Sequence, residues 1–378
     1  MDFAFREEQQ SVRELARTIL EKEVDAARLR AAEESPDAVD DALWARLAEA
    51  NLLGIAIPEE HGGLGFGFLE ICTLLEELGR CVAPVPALAT LVLGALPVAA
   101  FGTPGQRARW LPEVAAGRAV LSAALLEAAF ADPRSCATRA RPEAGGWSLH
   151  GEKRDVPCAR RAARVLVPAS TPEGVAVFLI DPGARGVELA AGRRSTGEPS
   201  FALRLDGVRV PAEERLGGGE VDGAAVAAWI HERALVATAA LQTGVADSAL
   251  RMTADYVRER VQFGVPIGSF QAVQHRCADA FIDLEALRWC TWRAAWRLAE
   301  GLPAAREAAV AKFWAAEAGS RIASAALHLH GGLGADVDYP IQRYFLWSRA
   351  LELELGGAAP QLAWLGKDMA RTGPKEQA

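Results

Sequence analysis

Across residues 7–24 the apolar positions Val12, Leu15, Ala16, Ile19 and Leu20 recur at helical spacing with charged residues between them, which predicts an amphipathic helix. The same periodicity predicts helices over residues 39–51, 68–78 and 106–114, separated by turn-rich pieces at 60–67 and 81–86. Near Leu121 the period shortens. Residues 147–151, 164–167 and 175–180 are short apolar runs, and Phe201, Leu203 and Leu205 alternate with other residues, which predicts strands. Gly145-Gly146, Pro172, Asp181-Pro182-Gly183 and Gly197 punctuate them at intervals suited to a small antiparallel sandwich or barrel. Beyond Gly217-Gly218-Gly219, helical periodicity returns over residues 224–260, 269–300, 304–330 and 341 to about 354, which predicts a helix bundle. The chain thus divides into an N-terminal helical domain (1–119), a middle β domain (120–222) and a C-terminal helical bundle (223–378), mainly α with a central β domain.

Composition narrows the partners. Of 378 residues, 51% are hydrophobic and 24% charged, enough apolar content for a large core, and the formal charge of -8 comes without a basic run, so nucleic acid is not an expected partner. The six cysteines, Cys72, Cys81, Cys136, Cys158, Cys277 and Cys290, form no metal-like spacing and fit a reducing cytoplasm. The N-terminus, with Asp2, Arg6, Glu7 and Glu8, lacks the basic and apolar regions of an export signal. The most apolar segment, 87–101, is shorter than a membrane span and contains Pro97, so it reads as a buried helix and turn. Gly217-Gly218-Gly219 lacks a following Lys-Ser/Thr and reads as a linker rather than a phosphate loop.

Chemistry concentrates in the last third. Arg260, Phe263, Gly264 and Gln271 stand in the order Arg-x-x-Phe-Gly followed by Gln. Arg260 can fork two donors to phosphate oxygens, Phe263 can pack beside a nucleotide, and Gln271 can hydrogen-bond it. A second element, His328-Leu-His330-Gly331-Gly332-Leu-Gly334, offers glycines that let backbone approach a ligand closely, although Gly after a helical run is also an ordinary C-cap. His328 and His330 lie two apart on a helix and face different sides, so no metal is expected there. Trp289, Trp292 and Trp296 share one helical face and read as packing in a core or at a subunit contact.

Together these elements, with the stretch from Asp206 to Pro211, closely resemble the acyl-CoA dehydrogenase family over nearly the whole chain. The resemblance implies an α-helical domain, a β domain and a four-helix C-terminal bundle, assembled as a dimer or tetramer. It implies FAD, with Arg260, Phe263 and Gln271 contacting the pyrophosphate and adenosine of a dinucleotide held mainly by the neighbouring subunit, and with His328, Gly331 and Gly332 in the family's Gln-x-x-Gly-Gly-x-Gly element, His328 replacing Gln. Family members desaturate acyl-CoA thioesters: a Glu removes the α proton, hydride leaves the β carbon for the flavin, and electrons pass to an acceptor.

Several positions depart from that pattern. The C-terminal base position falls on Leu355, within Glu354-Leu355-Gly356-Gly357. In isovaleryl-CoA dehydrogenase-like members the base precedes an Arg early in the first bundle helix, as Glu232 precedes Arg233 here; gapless counting from Gly244 puts that position at Ala234. Glu232 is therefore either the base or a carboxylate favoured near a helix start. Leu125-Leu126-Glu127 approximates the family's Thr-Glu element, with Phe130-Ala131-Asp132 in place of Gly-Ser-Asp. After Gly151-Glu152-Lys153, where the family carries a flavin-facing Trp and Thr, the chain reads Arg154-Asp155-Val156-Pro157-Cys158. Asp155 is no aromatic platform, and Pro157 offers neither hydroxyl nor N–H.

Three readings follow: an FAD-dependent dehydrogenase of acyl thioesters using Glu232, a flavin-poor partner subunit of a heteromeric acyl-CoA dehydrogenase, and a non-redox acyl-thioester-binding or structural protein.

Overall fold

The computed structural model describes residues 4–127 and 135–372. They form two compact units. The first comprises Met1–Leu74 and Pro84–Ala234, the second Leu75–Ala83 and Leu235–Ala378.

The first unit opens with α1 (Glu7–Glu23), α2 (Ala26–Glu34) and α3 (Asp41–Glu49). α1 buries Val12, Ala16, Ile19 and Leu20 of the stripe its periodicity predicts, while Leu15 lies at its edge, 44% exposed. α2 and α3 start at aspartate caps: Asp25 accepts from the Arg28 N–H and Asp40 from the Leu43 N–H, both at 2.8 Å. α4 (Phe68–Arg80) follows, its first half in this unit. A π-helical stretch, Leu88–Ala95, runs into α5 (Leu96–Phe101); the first lies buried as the apolar run predicts, whereas α5 buries only Pro97 and Val98. Gly94 has no room for a side chain, since a Cβ there would stand 2.2 Å from Leu121 Cβ. α6 (Pro104–Ala115) begins with a Thr103–Gln106 capping box and Pro at its first position. The Gln106 amide also donates to the carbonyls of Glu213 and Arg215 at 2.8 and 2.9 Å, tying the helical part to the exit of the sheet.

The sheet contains β1 (Val120–Ala123), β2 (Arg139–Glu143), β3 (Gly146–Pro157), β4 (Ala162–Thr171), β5 (Gly174–Ile180), β6 (Val187–Arg193) and β7 (Pro199–Pro211). Its order is β1-β4-β2-β3-β7-β6, with β5 also on β4. Most pairings are antiparallel, as local turns require. β1 and β2, however, pair with β4 in parallel, which makes the sheet mixed. Leu149, Val165, Phe178, Leu203 and Val208 fill its core, with Trp147 tilted against Phe178 at 5.5 Å. The β3–β7 ladder is broken between Lys153 and Val156, where Asp155 takes a left-handed φ of 50°. Gly217, Gly218 and Gly219 all have positive φ, which suits a connector leading into α7 (Gly223–Glu259).

The second unit is built from the end of α4, most of α7, α8 (Gln271–Ala299), α9 (Ala305–His330), α10 (Ile341–Leu353) and α11 (Ala358–Thr372), with the hairpin β8 (Val261–Gln262) and β9 (Val265–Pro266) between α7 and α8. α9 contacts α8, α10 and α11, and its buried face is largely alanine, so its neighbours approach closely. α7 is long and apolar enough to cross a membrane by length and composition, but 67% of its most apolar window is buried in protein, as in a core helix. α4 and α7 cross backbone against backbone. A Cβ on Gly79 would stand 2.1 Å from the Leu241 carbonyl oxygen, and one on Gly244 1.9 Å from that of Glu76. Around this crossing Asp247 receives Arg80, Arg251 and Arg288, the last at 3.0 Å. Burial would raise the Asp247 carboxyl, but these guanidiniums hold it below its ordinary value. Lys312 on α9 is fully buried and donates to the carbonyls of Leu351 and Glu352 at the end of α10, at 3.1 and 2.9 Å. Burial pulls its ammonium down to about 8 against the charges of Glu354 and Glu352.

The crossing sets a prediction. Gly244→Ala, whose new methyl meets backbone, should cost about 1–3 kcal/mol, read as a fall in melting temperature. Gly366→Ala on α11, where a Cβ meets open space, should be neutral or stabilising by up to about 1 kcal/mol. Equal melting temperatures for the two variants would refute the close crossing.

Candidate functional site

The Arg-x-x-Phe-Gly element is the turn between α7 and α8. The Arg260 N–H donates to the Tyr256 carbonyl at 2.9 Å, continuing the α7 ladder, while its own carbonyl accepts from Ile267 N–H at 2.8 Å. Those two bonds fix the hairpin base and leave the Arg260 side chain exposed. At the tip Phe263 is 93% exposed with a left-handed φ of 55°, and Gly264 follows at 82°. A non-glycine residue in that region is uncommon. The Phe263 ring meets Phe270 edge-on at 6.2 Å, and Val261, Val265 and Phe270 are also exposed. Gln271, exposed, opens α8. Arg260, Phe263 and Gln271 thus gather on one surface turn.

The second element lies at the end of α9. His328 is exposed and its carbonyl accepts the Gly331 N–H that closes the helix, while His330 is buried, so the two histidines face different sides. Gly331 adopts φ 61° and ψ -138°, which a side chain would disfavour, and a Cβ on Gly331 or Gly332 would meet open space. The turn is therefore set by backbone conformation and leaves an open cradle above it. Among the described residues no group of three or more His, Cys, Asp or Glu is placed to hold a metal ion.

His330 and Tyr256 join the two elements, and sequence reasoning missed that role. The His330 ring stacks on Tyr256 of α7 at 4.4 Å and tilts against Tyr339 at 5.3 Å. Its Nδ1 lies 2.8 Å from the Ala326 carbonyl, the contact of an Nδ1–H donor. Burial holds its pKa below the ordinary histidine value, opposed by that bond. The available signal was the place of Tyr256, one helical turn before Arg260.

The remaining candidates belong to the first unit, apart from Glu354 and Leu355 in the second. Glu232 is half-buried on α7 beside Arg233. The Arg233 guanidinium lies 3.6 Å from the Trp229 ring centroid and 5.8 Å from that of Phe68, and burial lowers its pKa to about 10 against the charge of Glu232. At the ends of β1 and β3, an isolated bridge joins Leu126 to Arg154. Beside it Lys153, whose side chain is 1% exposed, donates to Glu127 at 2.6 Å, and Glu127 also accepts from the Thr138 N–H at 2.9 Å and from the Ala137 N–H. Burial pushes the Glu127 carboxyl up, but Lys153 holds it below the ordinary glutamate range. Asp155 accepts from Arg194 at 2.8 Å and from the Ser200 hydroxyl, and its carboxyl is held low by Arg194 and Ser200 despite burial. Phe130-Ala131-Asp132 lies outside the described residues. At the vacated C-terminal base position Leu355 takes φ 54°, just after the buried Glu354.

A helical–β–helical chain with an exposed Arg, Phe and Gln gathered at one turn of its C-terminal bundle has the layout that the acyl-CoA dehydrogenase resemblance implies. Similarity to known proteins specifies it. Residues 6–118 match the family model "Acyl-CoA dehydrogenase, N-terminal domain" and residues 222–369 match "Acyl-CoA dehydrogenase, C-terminal domain". Acyl-CoA dehydrogenase FadE27 of Mycobacterium tuberculosis is 39% identical, over 98% of this chain and all of that one. Among solved structures, a variant of the Tcur3481–Tcur3483 steroid ACAD is similar at TM-score 0.90 and 43% identity, covering 97% of this chain and 98% of that chain. The ChsE4–ChsE5 complex from Mycobacterium tuberculosis is similar at TM-score 0.93 and 38% identity, with full coverage of both chains. The chain belongs to the acyl-CoA dehydrogenase family of oxidoreductases.

FAD, the cofactor this family implies, supplies hydride-accepting chemistry that side chains lack. The open Gly331–Gly332 cradle and the exposed Arg260 and Gln271 donors fit its dinucleotide end. The ion-paired Asp155 and the Pro157 backbone do not supply an aromatic platform or a donor for its ring end.

The Lys153–Glu127 pair yields a pH prediction. A carboxyl lowered by folding binds protons less readily in the native state, so its stabilisation is full above the ordinary glutamate range and is lost as pH falls through the lower folded value. Glu127→Gln, which leaves a buried ammonium without its carboxylate, should cost about 3–5 kcal/mol at neutral pH and shrink the acid-induced loss of melting temperature. An unchanged acid profile would refute the pairing.

Proposed function

We propose that this chain is the flavin-poor half of a two-chain acyl-CoA dehydrogenase, lending Arg260, Phe263, Gln271, His328 and the Gly331–Gly332 turn to FAD held mainly by a neighbouring acyl-CoA dehydrogenase-like subunit. The observation that carries this reading is the contrast between the chain's two ends of a flavin site. The expected dinucleotide contacts stand exposed, with Phe263 93% accessible, whereas the stretch where the family meets the flavin ring carries Asp155, paired with Arg194, and Pro157, which has no N–H. Two similar solved structures are named as pairs of chains, Tcur3481–Tcur3483 and ChsE4–ChsE5, which supports a heteromer. The domain limits that suit this division of work are 1–119, 120–222 and 223–378.

The reaction of the assembly is α,β-desaturation of an acyl thioester in the cytoplasm, with electrons passed to an external acceptor. The 43% identical structure is named a steroid ACAD, which favours a bulky steroid acyl group here. A self-sufficient homomer with Glu232 as base is the second reading, favoured by the half-buried setting of that carboxylate beside the desolvated Arg233.

Measuring the FAD-to-chain ratio separates the two. The purified chain alone should be colourless even with added FAD. Co-purified with a second acyl-CoA dehydrogenase-like chain of the same organism, it should give about one FAD per pair, and Arg260→Gln should weaken FAD binding by about tenfold or more. In that assembly a steroid acyl-CoA should bleach the flavin faster than a short straight-chain one. One FAD per chain in the homomer, bleaching with substrate and losing that response in Glu232→Gln, would overturn the two-chain reading.

A further inference from the structure

Two segments that contact one dinucleotide must hold a fixed separation, since a displacement of about 1 Å is enough to lose well-placed contacts. Here they come from different helices: Arg260 ends α7, and Gly331 ends α9. Each end is held locally, Arg260 by its N–H on the Tyr256 carbonyl and Gly331 by its N–H on the His328 carbonyl, but these bonds lie within one helix each and set no distance between the two. The Arg260 side chain is exposed and Gly331 has none, so neither reaches across to the other.

We infer that the Tyr256–His330 stack is the positioning device that locks these two segments in register, so that Tyr256 and His330, neither of them a dinucleotide contact, govern how firmly the dinucleotide is held. This rests on the reading that both segments contact FAD. The stack reaches each segment through one covalent or hydrogen-bonded step. The Tyr256 carbonyl accepts the Arg260 N–H at 2.9 Å, and His330 is bonded directly to Gly331. The rings lie 4.4 Å apart at 23°, a stacked geometry, and Tyr339 closes the other side of His330 at 5.3 Å. The contact of Nδ1 with the Ala326 carbonyl folds the imidazole back along α9 and fixes its plane.

The choice of histidine itself argues for a positioning task. Its Nε2 is buried with no hydrogen-bond partner among the described residues, a costly arrangement for a ring whose only task is filling space. A flat ring with a donor at one edge is what both the stack and the Ala326 contact require. Ala326, whose carbonyl meets the Nδ1, belongs to an apolar cluster with Ala249 and Ile341, and Tyr339 packs against the same cluster.

The test uses the FAD-containing two-chain assembly and compares Tyr256→Leu, Tyr256→Phe and Ile341→Val. FAD dissociation is followed by the recovery of free-flavin fluorescence, and melting temperature is recorded in parallel. Tyr256→Leu removes the ring and should weaken FAD about tenfold, while Tyr256→Phe keeps the ring and should bind like wild type. Ile341→Val loosens the same cluster without touching the stack, so it should lower the melting temperature and leave FAD release unchanged. If Tyr256→Leu binds FAD like wild type, or if Ile341→Val at a matched loss of melting temperature releases FAD equally fast, the positioning role is overturned while the two-chain reading stands. A wild-type assembly that binds no FAD overturns both.

Discussion

The second unit depends on the close crossing of α4 and α7. Its segment Leu75–Ala83 comes from the N-terminal half of the chain, and only the missing side chains of Gly79 and Gly244 let it lie backbone to backbone against α7. Once there it serves three helices. Arg80 joins Arg251 and Arg288 around Asp247, and the Arg80 carbonyl accepts the Tyr344 hydroxyl of α10 at 2.7 Å. A buried charge that keeps three guanidiniums is tolerable because each is itself partly solvated or shared. The positions of the α7 end, with Arg260, and of α10 follow from this crossing.

The sequence disclosed the elements with a strong one-sided pattern. The long helices of the last third lie within two residues of where 3.6-residue periodicity sets them, because each presents a continuous buried stripe. β2 and β6 left no trace, since β2 buries only Ala140 and β6 has no fully buried residue, so neither shows apolar alternation. α2 is hidden for the same reason, with Ala32 its one buried residue. α11 was overlooked behind Gly356-Gly357 and Pro360, although proline in a first helical turn costs little. The parallel pairing of β1 with β4 is non-local, and no local turn chemistry encodes it.

The candidate site divides along the same line. Arg260, Phe263 and Gln271 were legible because their spacing is local and survives as one surface turn. The Tyr256–His330 stack was not, because it joins residues that only the helix packing brings together. Glu127 and Lys153 were each visible in separate stretches, yet their 2.6 Å pairing depends on the bridge between β1 and β3 ends.

That pairing adjoins the stretch where the chain departs from its family's pattern. Loss of function by accumulated substitution leaves charges stranded, and a stranded buried charge is costly enough to be removed or to unfold its surroundings. Here the charges in the altered stretch are matched, Arg154 by Glu152 and Asp155 by Arg194 and the Ser200 hydroxyl, as is the adjoining Lys153 by Glu127. Asp155 even sits at the ladder break with a left-handed backbone, a conformation aspartate tolerates better than bulky residues do. Restoring an aromatic there would have to remove the Arg194 partnership and the bulge at once, and Pro157 would still lack an N–H. The stretch is a finished local structure, with coupled substitutions that no single reversion undoes. Such matched, mutually dependent substitutions differ from the stranded charges that decay leaves behind.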